Sequence, residues 1–107
     1  MDGTLSETVL DEVIRRVVEV AQPEKIILFG SAARGRMRPG SDLDLLVVRG
    51  GVDALDLMGE IYLNMRGVGT AVDAIVATPE DLERYRDSYG MVIREALRYG
   101  RVVYEAA

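Results

Sequence analysis

The chain has 107 residues, with 13 Lys and Arg against 18 Asp and Glu and a net charge of −5; that length fits one domain and leaves no room for two. Cysteine and histidine are both absent, which excludes disulfides, thiolate nucleophiles, imidazole bases and the commonest zinc ligand, so acid–base or metal chemistry falls to carboxylates, tyrosine, lysine or arginine. The acidic balance argues against direct nucleic-acid binding, which is dominated by phosphate neutralisation; with no basic, apolar leader and no run long enough to span a bilayer, the sequence reads as a cytoplasmic domain without a membrane segment.

Thr4 and Glu7 read as a capping box opening a helix. Val9, Leu10, Val13, Ile14, Val17, Val20 and Ala21 recur at helical spacing, and Gln22-Pro23 stops it. Residues 25–29 form a buried-strand run ended by Gly30-Ser31, residues 32–37 a short helical or loop segment, and residues 38–41 a turn. Residues 42–48 are a second strand, apolar on both faces in its later part as a central strand is, and Gly50-Gly51 breaks it. A helix starting near Asp53 carries Leu55, Met58, Ile61, Tyr62 and Met65 as its expected buried stripe, with Gly67 suited to its C-cap.

Residues 70–77 read as a third strand. Thr78-Pro79-Glu80-Asp81 is a helix start, with an N-cap threonine, proline in the first turn and acids at the positive end of the dipole, leading into a short helix over 82–86. Ser88 is expected to cap another helix carrying Val92, Ile93, Ala96 and Leu97; Tyr99-Gly100 ends it, and residues 101–105 add a short edge strand. This alternation makes an α/β or α+β two-layer domain, and it leaves strand directions open. The tyrosines at 62, 85, 89, 99 and 104 read as packing residues rather than sites of self-modification.

Three features carry chemistry. Asp42 and Asp44 open the second strand one residue apart, so period two puts them on one face with Cα atoms roughly 6–7 Å apart. Two carboxylates aimed at one point repel unless one takes a proton or a cation sits between them, and a hard divalent cation is the natural partner. The alternative is two solvated acids at a strand end. Asp73 interrupts an otherwise apolar strand, where a carboxylate is costly unless paired or metal-bound; the alternative is an edge-strand acid facing water. Gly30-Ser31 follows a buried strand, and glycine, a hydroxyl and free amides together suit phosphate; the alternative is a plain turn. Arg34, Arg36 and Arg38 cluster in the segment that follows.

Together, Gly30-Ser31, ten residues, and Asp42-Leu43-Asp44 match the G-S-x10-D-x-D signature, and the chain resembles the minimal nucleotidyltransferases of the polymerase β-like nucleotidyltransferase superfamily over nearly its whole length. That resemblance implies a single nucleotidyltransferase domain over residues 1–107, with a mixed sheet of three to four strands and helices mainly on one face. It implies that Asp42, Asp44 and Asp73 hold two Mg²⁺ ions, that Gly30 and Ser31 bind the triphosphate, and that Arg34 contacts phosphate or braces the motif. It further implies that ATP is the substrate and that AMP passes to a hydroxyl, expected to be a tyrosine, of a HEPN-type ribonuclease toxin. The chain would then serve as the antitoxin of a hetero-oligomeric pair. Two other readings stay open: a non-catalytic antitoxin that occludes the toxin, and a small-molecule nucleotidyltransferase whose site a partner completes.

Overall fold

A computed structural model describes residues 7–33 and 42–107. Its elements run α1 (Glu7–Ala21), β1 (Lys25–Phe29), β2 (Leu43–Val48), α2 (Ala54–Leu63), β3 (Val72–Ala77), α3 (Pro79–Tyr85), α4 (Val92–Tyr99) and β4 (Arg101–Glu105). The capping box at Thr4 lies outside the described residues. So does most of the segment between β1 and β2 that was read as a short helix or loop; its first residues, 30–33, form a turn.

The strands form one mixed sheet in the order β3-β2-β1-β4. β1 runs antiparallel to both β2 and β4, whereas β2 and β3 are parallel. Parallel neighbours need a crossover, which α2 supplies. β1 and β2 occupy the centre, which is why both are apolar on each face; their alternating residues enter separate cores. Ile26, Leu28, Leu43, Leu45 and Val47 pack with Leu10, Val13 and Val17 of α1 and with Leu57 and Ile61 of α2. Ile27, Phe29 and Leu46 pack with Ile93 and Ala96 of α4, supported by Leu82 and Tyr85 of α3. Each fully buried side chain of this size contributes about 1.5–3 kcal/mol. The two long helices therefore share one face, in line with helices mainly on one side, and the short pair adds a second layer that the element pattern did not locate.

α1 ends where Gln22 takes a left-handed conformation, φ 46, and donates its N–H to the Val18 carbonyl at 3.0 Å, just before Pro23. α3 begins with the expected cap: Thr78 Oγ1 accepts from the Asp81 N–H at 3.0 Å and the Asp81 carboxylate accepts from the Thr78 N–H at 3.1 Å.

Four expectations need correction. α2 ends on Asn64 as its C-cap, not on Gly67. In α2 the buried stripe is Leu57 and Ile61, flanked by Ala54, Met58 and Met65, while Leu55 is 78% and Tyr62 74% exposed. This helix is apolar nearly all round, so periodicity alone fits either stripe. Ser88 does not cap α4: its carbonyl accepts from Met91 N–H in a turn, and Met91 is the N-cap, with no side-chain bond. The tyrosines also divide. Tyr85 and Tyr104 pack against the cores, whereas Tyr62, Tyr89 and Tyr99 are exposed.

Candidate active site

The site grows out of strand register. In the parallel pair, Asp44 of β2 stands opposite Asp73 of β3, and neighbouring strands lie about 4.8 Å apart. Asp44 has the same parity as Leu46, and Asp73 the same parity as Ile75 and Ala77, so both carboxylates belong to the face covered by α3 and α4. Asp42 lies just before β2, two residues ahead of Asp44, and its charge reaches the Asp44 carboxyl. The sheet thus brings Asp42, Asp44 and Asp73 together at the starting ends of β2 and β3.

β1 runs the other way, so its last residue, Phe29, pairs with Asp44 and the chain leaves the sheet at the same end. Gly30 comes next, at φ +75, and a Cβ added there would lie 2.5 Å from Asp44 Oδ2. Glycine is required at this position twice over, for a backbone conformation that L side chains disfavour and for the room Asp44 occupies. Ser31 follows, half-buried in the turn. Arg34, Arg36 and Arg38 lie outside the described residues.

Asp44 is half-buried, whereas Asp42 and Asp73 are exposed. Burial raises the Asp44 carboxyl above the ordinary carboxylate range, and the charges of Asp73, Asp42 and Glu95 add to the rise. Asp73 is therefore not the buried acid that its apolar strand suggested. β3 is an edge strand, so Asp73 meets water, and register rather than burial ties it to the site. Glu95 was not singled out in the sequence. It acts on Asp44 because α4 packs against β1, and nothing local in its helix marks it.

Among the described residues, no three acidic side chains stand as placed in an arrangement that holds a metal ion. The donor set nonetheless fits one: three oxygen-bearing acids at one end of the sheet, whose mutual repulsion and the burial of Asp44 disfavour its anion without a counter-charge, suit a hard divalent cation. Beside these acids opens a cavity of about 690 Å³ that Asp42 and Asp73 line together with Tyr62, Leu63, Arg66 and Thr70. Its far wall is pinned by Arg16, whose Nη1 donates to the carbonyls of Asn64 and Arg66 at 3.2 and 2.6 Å, while Asn64 Nδ2 donates back to the Arg16 carbonyl.

The family model of the nucleotidyltransferase domain matches residues 10–103, which contain every residue of the candidate site. The chain belongs to this family. It is a nucleotidyltransferase, with the mixed four-stranded α/β fold of that group. A Methanocaldococcus jannaschii protein named as a candidate protein adenylyltransferase is 39% identical over 84 residues, covering 76% of this chain and 78% of that protein. The crystal structure of a toxin–antitoxin with AMP-PNP superposes with a TM-score of 0.65 at 18% identity, over 90% of this nucleotidyltransferase and 73% of that chain. A tri-AMPylated Shewanella oneidensis HEPN toxin in complex with its MNT antitoxin gives 0.61 at 14%, over 92% and 71%. At such identities these two structures speak for the fold. Among the described residues no helix is long and apolar enough to cross a membrane.

Proposed function

We propose that this nucleotidyltransferase moves AMP from ATP to a tyrosine hydroxyl of a HEPN-type ribonuclease toxin and so acts as its antitoxin, in the cytoplasm and within a hetero-oligomer. The observation that carries the reading is the pairing of Asp44 with Asp73 across the sheet, with Asp42 just before β2, beside a glycine turn where an added Cβ would meet the Asp44 carboxylate. The named activity of the Methanocaldococcus jannaschii relative and the toxin–antitoxin assemblies that share the fold support the acceptor class.

In this reading Asp42, Asp44 and Asp73 would hold two Mg²⁺ ions. When bound, the ions offset charge on the triphosphate and acidify the attacking hydroxyl. The Gly30-Ser31 turn binds the triphosphate with backbone amides and the Ser31 hydroxyl, and Arg34 adds a phosphate contact. Asp73, exposed at the open side of the sheet, accepts the proton of the acceptor hydroxyl; the chain has no histidine to compete for that role. The acceptor arrives through the cavity beside Asp42 and Asp73, whose exposed Tyr62 and Leu63 suit a protein surface.

The test is incubation with α-³²P-ATP and Mg²⁺, with and without the protein encoded beside this one, followed by a denaturing gel. Label on the neighbour is expected, lost with EDTA and in Asp42→Asn, Asp44→Asn and Asp73→Asn. Tight binding without label in any lane would refute transfer and favour neutralisation by occlusion.

A further inference from the structure

Among the described residues α2 packs on β3 and α1, and it buries Leu57 and Ile61. At about 100° per residue, the opposite side of the helix carries Leu55, Gly59, Tyr62 and Leu63. Leu55 is 78%, Tyr62 74% and Leu63 61% exposed. A single exposed apolar side chain is ordinary. A stripe of them on a helix whose other side already fills the core marks a contact surface, because a helix that is apolar all round is one that is covered all round. Gly59 lies in the middle of the stripe. A Cβ added there would have nothing within 4 Å, so nothing else in the chain needs a glycine at this point, where it weakens the helix. What glycine provides is a shallow place where a second backbone can come close.

Charge decides what fits there. Asp56 and Glu60 are one turn apart and run along one side of the stripe, and α2 contains no lysine or arginine. Among the described residues neither carboxylate is in an ion pair. Two copies of the chain packed antiparallel about Gly59 would gather Asp56, Glu60 and their copies along the same side of the contact, with no base from either helix. Each chain also has a net charge of −5. Like charges brought together across a contact oppose it. A helix with an apolar face flanked by lysine or arginine meets the stripe and the acids together.

We propose that the outer face of α2 is a docking surface for such a partner helix, which crosses at Gly59 and seats its apolar side chains between Leu55 and Tyr62, with its basic flank on Asp56 and Glu60. α2 covers the sheet face opposite the one that Asp44 and Asp73 share with α3 and α4. Holding the partner and transferring to it are therefore tasks of two separate surfaces. The two surfaces meet at one place. Tyr62 and Leu63, at the end of the stripe, also line the cavity of about 690 Å³ that Asp42 and Asp73 border, so a partner docked on α2 lies beside the acid end of the sheet.

The inference rests on the proposed function for the identity of the partner, and the experiment keeps the two apart. The probe is the protein encoded beside this one, titrated against the full chain by calorimetry. Gly59→Gln and Leu55→Gln should each weaken binding about 30-fold. Glutamine is a better helix former than glycine, so Gly59→Gln should keep or raise Tm while it loses affinity. Glu60→Lys should slow association and flatten its salt dependence. In the α-³²P-ATP assay, both glutamine variants should raise the KM for the neighbour and keep kcat, whereas Asp44→Asn should bind as the wild type does and transfer nothing. Wild-type affinity in Gly59→Gln and Leu55→Gln, or a lower kcat at unchanged KM, overturns the inference; label on the neighbour then leaves the proposed function standing. Sedimentation of the chain alone should show a monomer, and a dimer that Leu55→Gln dissociates overturns the inference in favour of a second copy. A wild-type chain that neither binds nor labels the neighbour overturns both.

Discussion

Replacing Gly30 with alanine puts a methyl group where the Asp44 carboxylate already is. The added Cβ would lie 2.5 Å from Asp44 Oδ2, about 1 Å inside van der Waals contact. Two costs follow, and they separate. The backbone cost arises because Gly30 sits at φ +75, a conformation that penalises an L residue by about 1–2 kcal/mol, or roughly 4–9 °C in Tm for a domain of this size. The positional cost falls on Asp44, because a half-exposed carboxylate swings aside more easily than two strands part. A displacement near 1 Å of a group that must be placed accurately lowers turnover by about 10²-fold. Gly51 provides the control: it has φ +76, but nothing lies within 4 Å of an added Cβ. Differential scanning calorimetry should therefore find Gly30→Ala and Gly51→Ala destabilised by similar amounts. Initial rates of nucleotidyl transfer should fall about 10²-fold in Gly30→Ala alone. Equal activities in the two variants would refute the argument that Gly30 is there to make room for Asp44.

Asp44→Asn should stabilise the metal-free protein at neutral pH while abolishing transfer, a trade of stability against activity common at active sites. The sign follows from linkage: the folded-state pKa of Asp44 is raised by burial and by Asp73, Asp42 and Glu95. Stability from the protonated form is then complete below the ordinary carboxylate pKa and is lost as pH rises through the raised value. The gain should be at most about 1 kcal/mol, since water screens the group, and it should vanish in acid; a Tm difference independent of pH would contradict it. Arg16→Ala removes two donors to the carbonyls of Asn64 and Arg66. It should cost about 1–2 kcal/mol in urea unfolding and speed amide exchange over residues 64–70. Unchanged exchange there would show that the cavity wall holds itself.

Much of the candidate site was legible locally. Gly30-Ser31 and Asp42-Leu43-Asp44 declare themselves by spacing, because a turn that needs φ > 0 admits few residue types and a pair at i, i+2 on a strand must share a face. The Thr78 cap and the two central strands were equally readable, since hydrogen-bonding side chains and unbroken apolar runs act over a few residues. Asp73 stands out in the sequence as a carboxylate in an apolar strand, but the structure matches the alternative of an edge-strand acid facing water, where the cost of burying a carboxylate does not apply. What the sequence by itself determined is therefore the local set: which segments form strands and helices, where they stop, and which acids share a strand face. Only tertiary structure decided the rest. Strand order set Asp73 opposite Asp44, helix packing turned Tyr62 outward and Leu57 inward in a helix apolar on both sides, and the docking of α4 on β1 brought Glu95 to Asp44. These are contacts between residues far apart in the chain, and no short-range pattern encodes which distant surface a segment will meet.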